Sequence, residues 1–248
     1  MCTNCNDSQH RATRRSVLGL GIGGVAALAS ALGPRAAWAD CAPFTGEMQA
    51  ATGPQDALAQ LLAGNARFAA GQSLSCDHAV NIAATANSQT PLACVLGCID
   101  SRAAPEILFD QQIGDIFVAR VAGNVPTDEV IGSFEYATAV AGTKLIVVLG
   151  HSHCGAVKGA VDRAVVGDQL TRLLDLIEPA VVGTELKGER SSNNHHFVES
   201  VTETNVRMGM QGMIAGSPVI SGFVASGQVI VVGAIYDVET GLVRLLET

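Results

Sequence analysis

Lys144-Leu145-Ile146-Val147-Val148-Leu149-Gly150 runs directly into His151-Ser152-His153-Cys154-Gly155. Five consecutive apolar residues with no polar alternation describe a strand buried on both faces, the kind found in parallel sheets covered by helices. Two more such runs, Leu92–Gly97 and Ile116–Val121, precede it, and a last pair, Val229–Tyr236 and Leu242–Leu246, flanks the turn Glu239-Thr240-Gly241. Helical stretches fall between them: Glu129–Ala141, a segment beginning near Gly155, and Leu170–Val182. Ahead of the first strand, Pro54–Ala70 places Leu58, Leu61, Leu62, Ala66 and Phe68 at helical spacing, tolerates Gly64 and stops at Gly71. The expected fold class is therefore α/β, with a mainly parallel central sheet flanked by helices and no internal repeat. Such sheets bind ligands at the carboxyl ends of their strands.

Composition narrows the possible partners. The 248 residues include 15 Lys plus Arg against 23 Asp plus Glu, a formal charge of −8, so no basic face is expected for a phosphate backbone and nucleic acid is excluded as a partner. Aromatic residues make up 4%, too few for base-stacking platforms. The first 39 residues read as an export signal. Thr13-Arg14-Arg15-Ser16-Val17-Leu18 is a twin-arginine pattern, an uncharged Gly- and Ala-rich stretch follows to Gly33, and Ala37-Trp38-Ala39 has the form of a cleavage site. The apolar run is too short and too glycine-rich to span a bilayer, and Gly19-x-Gly21-x-Gly23-Gly24 follows no strand, so neither a membrane anchor nor a nucleotide loop is expected. Cleavage would remove four arginines and one acid, moving the charge to −11. The predicted organisation is a removed signal at 1–39, a short mature segment at 40–53 and a catalytic domain at 54–248, delivered to the periplasm and free of the membrane. That compartment is oxidising, so free cysteines there need a reason to stay unpaired, and metal ligation is one.

Two motifs sit at strand ends: Cys98-Ile99-Asp100-Ser101-Arg102 after Leu92–Gly97, and His151-Ser152-His153-Cys154-Gly155 after Lys144–Gly150. Cys98, His151 and Cys154 make a two-thiolate, one-imidazole set, and three protein donors leave the fourth tetrahedral position of a zinc ion to water, as in catalytic rather than structural sites. Singly, each of these residues is best read as a core side chain; the three at two neighbouring strand ends are not. Two thiolates leave zinc without net charge and a weak activator of water, so a helper is expected. Asp100 can accept the hydrogen of zinc-bound hydroxide and aim it at a carbon electrophile, and Arg102 can hold that carboxylate off the metal through paired hydrogen bonds.

The combination Cys98-x-Asp100-Ser101-Arg102 with His151-x-x-Cys154-Gly155 resembles the signature of the β-class carbonic anhydrases. The similarity runs from about Pro54 to Leu246 through Leu62-x-Gly64-Asn65, Phe109-Asp110-x-x-Ile113-Gly114-Asp115-x-Phe117-Val118, Arg120-Val121-Ala122-Gly123-Asn124, Ser133-x-Glu135-Tyr136-Ala137 and Ser217-Pro218-Val219-Ile220. Ile99 stands where serine is common and Val121 where asparagine is frequent. The resemblance implies one zinc per chain on Cys98, His151 and Cys154, with Asp100 and Arg102 as the ionic pair beside it. It also implies substrate contacts from Gln89, Phe117, Tyr136 and the Gly155 N–H, and reversible hydration of CO₂ to bicarbonate. A homodimer or higher homo-oligomer is implied too, and the apolar faces of the helices at Gln55–Ala70 and Leu170–Val182 agree with that.

Other readings stay open at this level. The same hydroxide would attack carbonyl sulfide or carbon disulfide, and a non-enzymatic zinc or thiol module would use Asp100 to close the site. His153 lies beside the metal group as a proton-shuttle candidate, although a solvated loop histidine is the simpler reading. His195-His196 reads as part of a polar surface loop rather than a second metal patch. Cys41 and Cys76 are available to pair after export, and Cys94 belongs in a buried strand.

Overall fold

The computed structural model describes residues 41–42, 44–185 and 188–247; the export signal predicted at 1–39 lies outside them. In chain order the elements are α1 (Gly46–Ala51), α2 (Pro54–Ala69), α3 (His78–Thr85), β1 (Ala93–Gly97), α4 (Pro105–Leu108), β2 (Ile116–Arg120), α5 (Asp128–Glu135) with a π-helical turn at Tyr136–Val140, and β3 (Leu145–His151). Then follow α6 (Gly155–Val161), α7 (Asp168–Asp175), α8 (Glu178–Gly183), α9 (His195–Ala215), α10 (Pro218–Ala225), β4 (Ile230–Tyr236) and β5 (Val243–Leu245). The strands form one sheet in the order β2-β1-β3-β4-β5, parallel except for β5, which turns back on β4.

All five predicted strands are present, within a residue or so of the expected ends. Every residue of β1 and β3 is buried, as their unbroken apolar sequence requires. The two-residue period of a strand divides them between two cores. Ala93 and Val95 of β1 with Leu145, Val147 and Leu149 of β3 pack against Ala57, Leu58 and Leu61 of α2. Cys94 and Leu96 with Ile146 pack against Val130, Ile131 and Phe134 of α5, Met213 of α9 and Ile220 of α10. A third cluster, beyond the carboxyl ends of the strands, includes Val157, Ile177, Phe197 and Val201 together with Cys98 and Cys154. Gly64 is more than tolerated in α2: a Cβ there would lie 1.9 Å from the Phe109 carbonyl oxygen, so the helix reaches α4 only with glycine at that point.

Several helices depart from expectation. The stretch Leu170–Val182 is two helices, not one, because Pro179 in an unbroken helix would clash with the carbonyl of residue 175, where α7 ends. Glu129–Ala141 starts as α5 and finishes as the π turn, where Thr138 Oγ1 donates back to the Phe134 carbonyl at 2.8 Å. The loop reading of His195-His196 is overturned. Both open α9, whose N-cap Asn194 accepts from the Phe197 N–H at 3.3 Å. Among the described residues no helix is long and apolar enough to cross a membrane.

Candidate metal centre

Parallel pairing of β1 with β3, with Cys94 opposite Ile146 and Leu96 opposite Val148, brings the two chemical motifs to the same end of the sheet. There Cys98 (4% exposed), His151 (1%) and Cys154 (0%) converge, and their donor atoms all lie within 4.8 Å of one another. The two Sγ atoms are 4.0 Å apart. Tetrahedral zinc with Zn–S bonds of about 2.3 Å needs roughly 3.8 Å between its sulfurs. The imidazole is oriented for the same task. Its Nδ1–H donates to the Ser152 carbonyl at 2.9 Å, which leaves the lone pair on Nε2, and Nε2 is buried with no hydrogen-bond partner. A buried ring nitrogen without a partner carries a desolvation cost that a metal ion removes. The residues therefore fit zinc.

The two thiols differ in acidity. A hydrogen bond from Cys154 holds the Cys98 thiol well below its usual range, while that bond, followed by burial, pushes Cys154 up. Cys94, by contrast, is a buried core thiol raised by desolvation and lies four residues upstream, in the strand.

Asp100 and Arg102 form the pair expected of them. Arg102 Nε donates to Oδ1 at 2.9 Å and Nη2 to Oδ2 at 2.7 Å, and the Arg102 backbone N–H adds a bond to Oδ1 at 3.0 Å. These bonds hold the Asp100 carboxyl well below the usual carboxylate range. Oδ2 faces the donor set, 3.9 Å from His151 Nε2. Gly155 opens α6 directly after Cys154, and the space where a side chain would stand is open.

The other residues named from the sequence lie elsewhere in a single chain. Gln89 is exposed ahead of the amino end of β1, and Phe117 pairs across the sheet with Cys94 rather than with the strand end. Tyr136 packs edge-on against Phe117, with ring centroids 6.1 Å apart. At about 3.3 Å per residue, the four residues from Cys94 to Cys98 set Phe117 roughly 13 Å back from the metal group. His153 has a left-handed backbone (φ 56°), places Nε2 3.1 Å from Glu239 Oε1 and stacks edge-on against His195.

Sequence reasoning missed the groups that hold the Cys98 loop. Arg120, at the end of β2, donates from Nε to the Cys98 carbonyl at 2.9 Å and from Nη2 to the Asp100 carbonyl at 2.6 Å. The Gly123 N–H donates to Cys98 Sγ at 3.3 Å, and Asn205 of α9 donates to the Gly123 carbonyl at 2.8 Å. In the sequence Arg120 and Gly123 stand out only as parts of the longer motif Arg120-Val121-Ala122-Gly123-Asn124, and Asn205 carries no local signal at all.

A parallel α/β sheet bearing an open two-cysteine, one-histidine donor set at its carboxyl edge, with an arginine-restrained carboxylate beside it, defines a metalloenzyme of the hydratase type. Residues 93–243 match the carbonic anhydrase family. Carbonic anhydrase 2 of Mycobacterium tuberculosis is 38% identical over 198 residues, spanning 77% of this chain and 91% of that protein. The carbonic anhydrase of Mycolicibacterium smegmatis is 39% identical over 197 residues, 77% of this chain and 93% of its own length. Among solved structures, a Coccomyxa β-carbonic anhydrase in complex with acetazolamide superposes with a TM-score of 0.61 at 28% identity, over 68% of this chain and 77% of that one. A β-carbonic anhydrase of Aspergillus fumigatus gives 0.61 at 27% identity, over 77% and 90%. The chain belongs to the carbonic anhydrase family, in its β class.

Proposed function

We propose that the chain catalyses the reversible hydration of CO₂ to bicarbonate and a proton, as a zinc-dependent lyase holding one zinc per chain on Cys98, His151 and Cys154. The observation that carries this reading is the buried, unpartnered Nε2 of His151 facing two thiols 4.0 Å apart. Zinc, when bound, supplies a Lewis acid that makes water nucleophilic near neutral pH. The protein's own groups do the rest. Asp100, ionised and fixed at both oxygens, presents a hydrogen-bond acceptor on the open side of the donor set, where it orients the attacking group. Arg102 keeps both carboxylate oxygens engaged, which opposes the alternative in which Asp100 closes the site as a fourth ligand. Gly155 offers a backbone N–H at the start of α6, where first-turn amides have no helical partner.

Purified chain beginning near Asp40 is expected to carry one zinc and to hydrate CO₂ in stopped-flow assays. Stoichiometric zinc without hydration, or faster turnover of carbonyl sulfide or carbon disulfide, would refute the assignment.

The assembly is proposed to be a homodimer or a larger homo-oligomer. β2 is an edge strand whose residues are all only half-buried, and Gln89, Phe117 and Tyr136 stand too far from their own metal group to line it. Both facts support an arrangement in which one chain completes its partner's pocket; relatives from Sordaria macrospora are described as tetrameric. A monomeric mass by light scattering of the active enzyme would exclude it. Export through the twin-arginine route to the periplasm is proposed from Arg14-Arg15 and the segment after it, and the Cys41–Cys76 disulfide is consistent with an oxidising destination. Replacing both arginines by lysine is expected to leave unprocessed protein in the cytoplasm; normal export of that variant would count against the route.

A further inference from the structure

Cys98 is 4% exposed, and its sulfur accepts a backbone hydrogen bond from the Gly123 N–H at 3.3 Å. Gly123 has φ +75°, and a Cβ at this position would lie 2.4 Å from Cδ1 of the fully buried Ile177. Only glycine brings its backbone this close. Glycine's conformational freedom is also its weakness, since nothing intrinsic fixes where its N–H points. The restraint comes from α9, ~80 residues along the chain. Asn205, 5% exposed, donates Nδ2–H to the Gly123 carbonyl at 2.8 Å, so one residue is gripped at its carbonyl end by the helix and presents its N–H end to the thiolate.

We propose that Asn205 is a positioning residue for the metal centre, acting through the Gly123 backbone to aim the N–H that Cys98 Sγ accepts. The proposal rests on Cys98 being a zinc ligand. An N–H···S bond withdraws charge from the thiolate, which weakens its donation and leaves a bound zinc more electrophilic, and it also holds the sulfur in place before the metal arrives. In a site with two thiolate donors this correction has a clear purpose, because thiolate charge is what makes such zinc a weak activator of water. The Cys98 loop is held independently by Arg120, through the carbonyls of Cys98 and Asp100. Loss of Asn205 should therefore act on the sulfur and leave the loop in place.

The wild-type protein loaded with ¹¹³Cd tests the bond directly, because a hydrogen bond to a metal-bound sulfur transmits scalar coupling from cadmium to the amide proton. Coupling to the Gly123 amide is expected. Asn205→Leu and Asn205→Asp, neither able to donate to the carbonyl, should lose most of that coupling. They should also bind zinc about 10- to 100-fold more weakly in chelator competition, because the lost placement of the sulfur outweighs the stronger donation of the freed thiolate, and that stronger donation should move the thiolate-to-metal charge-transfer band of the cobalt form to lower energy. Thr202→Val is the control: Thr202 is buried one turn earlier in α9 and donates to the Val198 carbonyl, so its loss should leave zinc affinity and the cobalt band as in wild type. One cadmium per chain with no coupling at Gly123 would overturn the proposal while sparing the ligand set, even if neither Asn205 variant folds. Failure to bind cadmium would instead sink the ligand set. Wild-type zinc affinity and cobalt band in folded Asn205 variants, or an equal shift in Thr202→Val, would reduce Asn205 to a packing residue.

Discussion

Two pairs of cysteines lie in the same chain and have opposite fates. Cys41 and Cys76, partly exposed and carried on irregular segments ahead of α1 and α3, are joined as a disulfide that closes a separation of 35 residues. Cys98 and Cys154, both buried, sit 4.0 Å apart and are unbonded. Irregular segments can adjust until two sulfurs meet, whereas Cys98 and Cys154 hang from the ends of β1 and β3 in the covered centre of the sheet, where the strand pairing sets their spacing. His151 adds a third donor to that frame. Partly exposed sulfurs on adaptable segments form a covalent staple, and buried, rigidly spaced ones are left free to hold a metal.

The comparison breaks most completely at the metal pair. Cys98→Ala, His151→Ala or Cys154→Ala should each lose zinc, with CO₂ hydration falling by roughly a thousandfold or more as the water-activating ion goes. Metal analysis and stopped-flow hydration read both changes, and full zinc retention in Cys154→Ala would contradict the ligand set.

Next in size is the ionic pair beside the metal group. Arg102→Ala should keep zinc yet lose about 10- to 100-fold in activity, because the freed carboxylate can take the position that water needs. Asp100→Ala should lose a similar factor while leaving the fourth position open, so that iodide or azide alters the cobalt spectrum of Asp100→Ala but hardly that of Arg102→Ala. Equal anion access in the two would show a structural ion pair only. The same pair makes a pH-dependent contribution. Asp100 has its folded-state pKa depressed by Arg102, so the stability it adds is present above the ordinary carboxylate pKa near 4 and lost as pH falls below it. Urea unfolding of wild type and Asp100→Asn should therefore differ at pH 7, and the gap should begin to close only below about pH 4 and keep closing toward the depressed folded-state value. A gap that widened in acid would reverse the assignment.

The smallest effect on activity is expected at the staple. Cys41→Ser with Cys76→Ser should leave zinc content and hydration within about twofold of wild type. By the chain-entropy account, a loop of this length contributes about 4 kcal/mol to stability, seen as a loss of roughly 10 °C in thermal unfolding of a domain this size. A variant with unchanged melting temperature, or one that shed its zinc, would mean that the two pairs are not separable into staple and metal site.

Much of this could be read from the chain alone. Unbroken apolar runs announced the buried strands, and the chemical residues immediately after two of them announced where the site would be, because both signals are local and the sheet's covered faces leave few alternatives. The donor set and the Asp100–Arg102 pair were legible for the same reason: each motif lies within a few residues of a strand end. α9 was missed because its polar and glycine positions, among them Gly209 against Val148 and Gly212 against Pro126, serve close packing on parts of the chain far away in sequence. The break at Pro179 was also open to a local reading, since proline cannot sit inside an unbroken helix. Only the tertiary structure paired Cys41 with Cys76 and left Phe117 and Tyr136 a strand's length from the metal group. It alone brought Asn205 to Gly123 and Gly123 to Cys98. A hydrogen bond across 82 residues leaves no periodicity in the sequence, since it is fixed by how α9 packs on the sheet and by no property of its own neighbours.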